Sequence, residues 1–276
     1  MKLRCWGTRG SIPIPGEKTI RFGGNTPCVE ITGSGNNRIV IDAGTGIINL
    51  GRSLMSREFA KGRGKLYILL SHTHWDHIQG LPFLIPTFIK GNHIYMRGPK
   101  FRNQSLYNIV SNQLNPVYSP LCDLKNLGAK FSISEFEDNK MKINGFAIRT
   151  IKLKHLSPCL GFRIEDDGKS IAYISDHEHR EPGRADPAIV NFCRDADIVI
   201  HDSFFSGDEL MAMPGWGHSS FEQSLDLASR AGVKKVLFFH YNPDHTDTDL
   251  ILTRSRLNHE SNVVFDFSDE ARIFEV

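Results

Sequence analysis

Ser71-His72-Thr73-His74-Trp75-Asp76-His77 follows directly on Lys65-Leu66-Tyr67-Ile68-Leu69-Leu70, a short apolar run of the kind a buried strand requires. The polar heptad therefore occupies the loop at that strand's C-terminal end. His72 and His74 are two residues apart and can point the same way, whereas the adjacent Asp76 and His77 project differently, toward a second centre. Four potential ligands in six residues suit two neighbouring metal ions better than one tetrahedral ion. Imidazole and carboxylate donors favour Zn²⁺, Mn²⁺, Fe or Ni²⁺ over Ca²⁺, and the lack of thiolates argues against a structural zinc knot.

Outward from the heptad, strand signals dominate. Cys28–Thr32 and Arg38–Asp42 flank the turn Gly33-Ser34-Gly35-Asn36-Asn37, and Lys140–Lys154 breaks at Asn144-Gly145, a two-residue hairpin turn. Leu160–Glu165, the turn Asp166-Asp167-Gly168 and Ser170–Ser175 form another hairpin. A helix is expected to open at Ser219 as N-cap with Glu222 completing a capping box, and to end at Gly232. A last helix is expected over Asp247–Leu257. The two halves echo one another: each has a hairpin whose second strand leads into an aspartate, Asp42 or Asp176. Each hairpin is followed by a probable-helix stretch and then an apolar strand with a polar end. That pattern fits one domain of two packed, similar β-rich halves with helices outside.

The five cysteines, Cys5, Cys28, Cys122, Cys159 and Cys193, are scattered without a C-x-x-C pair, which suits reduced thiols in a cytoplasmic protein. No signal-peptide pattern opens the chain, and no apolar run approaches the ~20 residues that span a bilayer. The formal net charge of +2 and the absence of like-charge blocks argue against nucleic acid as partner.

His72-x-His74-x-Asp76-His77 resembles the H-x-H-x-D-H signature of the metallo-β-lactamase fold, and further family landmarks follow in order along nearly the whole chain. The resemblance implies an α+β, four-layer αββα sandwich over residues 1–276. It implies that Asp42 orients the metal loop without binding metal. It also assigns His72, His74, His155 and Asp176 to one metal, and Asp76, His77, Asp176 and His240 to the other. Two divalent ions are expected, zinc first. His93, His179 and His259 match no landmark and read as surface residues; His177, His201 and His245 lie beside motif positions as potential supports of the ligands.

Such a pair of ions serves hydrolysis, supplying hydroxide near neutral pH and stabilising charge on the group attacked. His218, in Trp216-Gly217-His218-Ser219-Ser220, resembles the proton-donating histidine of the phosphodiesterase branch; a plain helix-capping turn is its alternative. Asp202 would orient or protonate it, so that Asp76, His218 and Asp202 are the residues placed in the catalytic step. Gly7–Pro13 and Arg21–Thr26 resemble segments of bacterial relatives of cyclic-nucleotide phosphodiesterases, with Ser11 and Asn25 positioned to offer backbone N–H groups to phosphate, or simply to turn the chain. The reading that follows is hydrolysis of a small cyclic nucleotide or cyclic phosphate by hydroxide attack on phosphorus. The alternatives are a tRNA 3′-processing endonuclease and a lactone or ester hydrolase on the same metals. Residues 78–154 would wall the pocket or form homodimer contacts; within them Phe83 and Tyr118 read as core, with base stacking as a second use. Two departures from the family pattern bear on the pocket: Leu156-Ser157-Pro158-Cys159 after His155, where glycines are common, and Tyr241, where a second histidine is common.

Overall fold

The computed structural model describes residues 1–56, 58–117, 119–121 and 123–276, without the side chain of residue 260. Tyr118 and Cys122, both singled out above, lie outside the described residues. Among the described residues, fourteen strands form two seven-stranded sheets. In chain order they are β1 (Lys2–Gly7), β2 (Cys28–Thr32), β3 (Arg38–Ile41), β4 (Lys65–Leu69), β5 (His93–Gly98), β6 (Lys130–Glu135) and β7 (Lys140–Ile143). The second seven are β8 (Phe146–Leu153), β9 (Cys159–Asp166), β10 (Lys169–Ile174), β11 (Ile198–Asp202), β12 (Lys235–Phe239), β13 (Phe265–Phe267) and β14 (Ile273–Glu275). One sheet runs β14-β1-β2-β3-β4-β5-β6, the other β13-β12-β11-β10-β9-β8-β7.

The strand alternation builds the layers. Ile39 and Ile41 of β3 face the other sheet, and Phe162, Ile171, Tyr173, Ile200 and Phe239 meet them in the inter-sheet core. Val40, Leu66, Ile68, Ile94 and Met96 face outward under the helix Gly46–Leu54. On the far side Ala172, Ile174 and Val199 pack under Ile189, Val190 and Leu227, while Val236 and Phe238 pack under Leu250 and Leu257. Helices on both outer faces of a two-sheet sandwich make the four layers expected.

The internal echo is present in the topology. The antiparallel pair β2–β3 feeds parallel β4, and the antiparallel pair β9–β10 feeds parallel β11, each through a helical crossover. Local boundaries differ by up to three residues. The helix expected to open at Ser219 runs Phe221–Ala231, and its capping box is Ser220 with Gln223. The serine one position later has the extended backbone a cap requires. Gly232 closes it at φ 65°. The last helix extends to Glu260 from an N-cap at Thr246. Among the described residues no helix is long and apolar enough to cross a membrane.

Candidate metal centre

The site gathers where β3, β4, β10, β11 and β12 end, at one edge of the sandwich. Asp42 follows β3, Asp176 follows β10 and His240 follows β12, with φ of 62°, 57° and 61°. Such left-handed geometry is uncommon for residues with a side chain and lets the chain turn sharply off the strand, aiming the side chain into the seam.

All seven sequence-predicted ligands come together. His72, His74 and His155 form one group of close donor atoms, and Asp76, His77 and His240 form another. Asp176 lies between them, its Oδ1 3.8 Å from both His72 Nε2 and His155 Nε2 and 3.4 Å from His240 Nε2, its Oδ2 3.2 Å from His77 Nε2. Asp176 also shares close donor atoms with His72 and His77 and with His218 and His240, so one carboxylate joins the two groups.

The hydrogen bonds at the backs of the rings decide what their fronts can do. Asp42 accepts from the Ser71 N–H and hydroxyl, the Tyr173 hydroxyl and His77 Nδ1 at 2.7 to 2.8 Å. Because the Ser71 hydroxyl donates to Asp42, it accepts from His72 Nδ1 at 3.1 Å. His155 Nδ1 donates to the Gly217 carbonyl at 3.0 Å. Three imidazoles thus commit Nδ1 to the protein and turn Nε2 toward the centre. There His77 Nε2 stands 3.2 Å from His240 Nε2 and 3.3 Å from Asp76 Oδ2, and His155 Nε2 stands 3.1 Å from His74 Nδ1. His72 Nε2 is buried with no hydrogen-bond partner. Nitrogen and carboxylate oxygen atoms converging at these distances need positive charge between them, shared protons or metal cations, and the donor set fits two divalent ions.

The electrostatics agree. Burial would push the Asp76 and Asp176 carboxyls up, but the surrounding imidazoles hold both well below the carboxylate range. Burial would push His77 down, yet Asp76, Asp176 and Asp42 hold it well above the usual histidine value. The pocket favours positive charge. His72, with burial dominant and His77 adjacent, is pushed well down and stays a neutral donor.

His218 stands beside this centre. Its Nδ1 lies 2.9 Å from Asp202 Oδ2 and its ring stacks on Phe204 at 4.3 Å between centroids. Burial opposes the charged form, but the Asp202 charge and hydrogen bond outweigh it and raise the pKa. Asp202 also accepts from the backbone N–H of Phe204 and His177, so it is fixed as an orienting carboxylate. Gly217, at φ 84°, lets the loop press onto His155: a Cβ there would meet Nδ1 at 2.3 Å.

Several expectations are corrected. His179 is buried rather than on the surface, while His259 is exposed and His93 half-exposed. His177 and His201 support Asp202 and its strand, not the ligands: His201 Nδ1 donates to the Asp202 carbonyl at 2.8 Å. His245 bonds Glu209. Ser11 N–H donates to Asp76 Oδ2 and Asn25 N–H to Glu270, so both amides serve the protein rather than a phosphate. Tyr241 is fully buried, donating to the Phe238 and Ser268 carbonyls, and does not line the centre. Phe83 is 62% exposed, so the core reading fails for it.

His177, His179 and Asp186 also lie close enough to share an ion. Their tautomers argue otherwise. His177 Nδ1 accepts from the Lys154 N–H and His179 Nδ1 from the Asp186 N–H, so each Nε2 carries a hydrogen and no free lone pair. Sequence reasoning missed Ser71, Tyr173 and Phe204. Ser71 was signalled by its place at the head of the heptad; the other two have no local signal.

Against known proteins, a family model described as the β-lactamase superfamily domain matches residues 37–241. Ribonuclease Z of Thermoplasma acidophilum is 25% identical over 236 residues, covering 68% of this chain and 73% of that protein. Among solved structures, the metallo-β-lactamase-fold protein YhfI from Bacillus subtilis superposes with a TM-score of 0.69 at 19% identity, covering 99% of both chains. The short form of human tRNase Z superposes with a TM-score of 0.69 at 17% identity, covering 100% of this chain and 99% of that one. With the fold, the convergent donors and the family match in agreement, this chain belongs to the metallo-β-lactamase superfamily and is a metal-dependent hydrolase.

Proposed function

We propose that the protein is a two-metal phosphodiesterase whose substrate is an RNA strand, with a small cyclic phosphate as the second reading. The observation that carries the phosphodiester is the His218–Asp202 pair beside the donor set. We assign His72, His74, His155 and Asp176 to one ion and Asp76, His77, Asp176 and His240 to the other, with zinc the first choice of metal. When bound, such ions activate water and draw charge from phosphoryl oxygens.

The rest is done by side chains. Asp202 accepts the Nδ1 hydrogen and thereby presents His218 Nε2 as the proton-carrying nitrogen. Its charge favours the imidazolium against burial. Nε2 then transfers its proton to the departing alkoxide oxygen, a step a poor leaving group such as ribose needs. A lactone or carboxylic ester makes no comparable demand. Asp76, pinned by the Ser11 N–H, keeps its ligand oxygen facing His77 and His240.

The choice of RNA reverses the order suggested by composition. Low net charge argued against a polyanion, but charge at a site counts more than the total. A relative matched over much of its length is named ribonuclease Z. The cyclic-phosphate reading retains the support of the N-terminal Gly7–Pro13 segment, whose Ser11 touches Asp76. We place the protein in the cytoplasm, where its four described, buried free thiols stay reduced.

The test is to incubate the zinc-loaded protein with precursor tRNA carrying a 3′ trailer, with cyclic mononucleotides and with a lactone. Cleavage of the RNA, with His218→Ala lowering kcat by roughly 10²- to 10⁴-fold at unchanged metal content, is expected. Turnover of the lactone alone, or full activity in His218→Ala, would overturn the assignment.

A further inference from the structure

The motifs not absorbed by the metal centre converge on one cavity. It measures about 970 Å³, at the top of the range of roughly 300–1,000 Å³ for ligand pockets. Lys100, Phe101, Arg102, Phe136 and Lys152 line it, with Pro158, Cys159 and Leu160 as its inner wall. Its outer residues come from the 78–154 segment expected to wall a pocket, and its inner wall is the stretch that departs from the family pattern after His155.

The cavity and the metal centre share that wall. Leu160 N–H donates to the Ser71 carbonyl at 2.9 Å, and Cys159 Sγ lies 3.9 Å from the Ser175 carbonyl. Ser71 and Ser175 immediately precede His72 and Asp176. Because β4, β5 and β6 are parallel, Ser71, Pro99 and Phe136 leave the sheet at the same edge. Leu156, next to His155, is 73% exposed.

Lys100, Arg102 and Lys152 are exposed cations, and none forms an ion pair among the described residues. Glu137 and Asp138 share the lining, so cations exceed acids there by three to two. Phe101 shares the lining with those cations and is half-buried, packing in part on the outer core of its sheet. Cations beside an aromatic face are the elements with which proteins hold single-stranded nucleic acid: phosphates on the former, bases on the latter. A mononucleotide has one phosphate, which the metal centre would take. Only a chain with further phosphates engages both places.

We infer that this cavity is the subsite for the single-stranded RNA flanking the scissile phosphodiester, with Lys100, Arg102 and Lys152 on its phosphates and Phe101 against a base. The inference rests on the phosphodiesterase reading for the metal centre but concerns binding alone.

The test measures fluorescence anisotropy of a labelled, phosphorothioate-linked oligoribonucleotide of about a dozen nucleotides on the zinc-loaded protein, across a salt series. A nucleoside 5′-monophosphate serves as competitor. The strand should bind at least ~10-fold more tightly than the monophosphate. In Lys100→Glu/Arg102→Glu that preference should collapse, and the slope of log affinity against log salt should fall by ~1.4, two phosphate contacts at ~0.7 each. Phe101→Leu, which keeps the charges, should lower strand affinity by roughly 5-fold or more with the slope intact. Equal binding of strand and monophosphate, or a charge-reversed variant with unchanged slope, overturns the subsite while leaving the phosphodiesterase reading in place. Charge reversal that converts a dimer to a monomer, with no change in strand affinity, assigns the cavity to a second copy of the chain and also overturns it. Strand binding as expected, with no hydrolysis of any phosphodiester, sinks the activity and spares the subsite.

Discussion

Asp42 illustrates how much of this centre depends on a residue outside the converging donor groups. It is fully buried, in the left-handed region, and accepts four hydrogen bonds from the Ser71 N–H and hydroxyl, His77 and Tyr173. Through them it fixes the tautomer of His77 directly and that of His72 through Ser71. Asp42→Asn replaces an acceptor oxygen by an NH₂ that meets donors, so one ring loses its orientation. Zinc affinity, followed by competition with a chromophoric chelator, should weaken by roughly 10- to 100-fold; affinity equal to wild type would show that the rings are held by packing alone. At this scale the sequence was unusually informative, because ligands are identified by chemical type and order. It was silent on Tyr173, which reaches Asp42 from 131 residues away, and on Phe204, an ordinary apolar residue until folded under His218.

At the scale of elements, the segment Phe205–Ala231 shows how a cap serves a site. Phe205 and Ser220 form a parallel bridge, with Phe205 N–H on the Ser219 carbonyl and Phe221 N–H on Phe205. Ser219 hydroxyl bonds the His177 carbonyl. The helix start is thereby tied to β11 and to the loop after β10, and His218, two residues before the cap, is held against Asp202. Ser220→Ala removes the acceptor for Gln223 N–H and should cost about 1 kcal/mol, read as a lower urea midpoint at constant m-value. A midpoint unchanged within error would mean that the bridge rather than the cap fixes the helix start. The capping box was legible as a pattern but displaced by one residue, since Ser219 and Ser220 both offer a hydroxyl. Only the backbone path decided between them.

For the whole molecule, the wall behind Asp202 carries a pH liability. Burial lowers His201 to about 4, against partial support from Asp202, and lowers His177 to about 4 as well. His179, facing His201 at 3.3 Å, is pushed down further by burial and by its two histidine neighbours. Asp186 faces the same cluster from 3.5 Å beyond His177. A histidine whose folded value is depressed takes up its proton more readily when unfolded. Its contribution to stability is therefore complete above about pH 6.5 and is lost as pH falls toward 4. For His201 alone the loss is on the order of 3 kcal/mol at the acid end. Urea unfolding at pH 7.5 and 5 should give a clearly lower free energy at pH 5, and His201→Gln should flatten that difference. An equal difference in the variant would assign the acid sensitivity to other groups.

Taken alone, the sequence determined the two β-rich layers and the donor cluster His72, His74, Asp76 and His77, while the family resemblance pointed to His155, Asp176 and His240. Apolar alternation specifies which face of each strand is buried, and ligand chemistry is carried by residue type at short spacing. Tertiary structure decided everything that depends on what stands behind or beside a side chain. It turned the Ser11 and Asn25 amides away from substrate and withdrew Tyr241 into the core. It made His179 part of a buried network, and it assembled the basic cavity from Pro99–Arg102, Lys152 and the wall after His155. Those outcomes follow from contacts between segments tens to hundreds of residues apart, which close only when both sheets are in place.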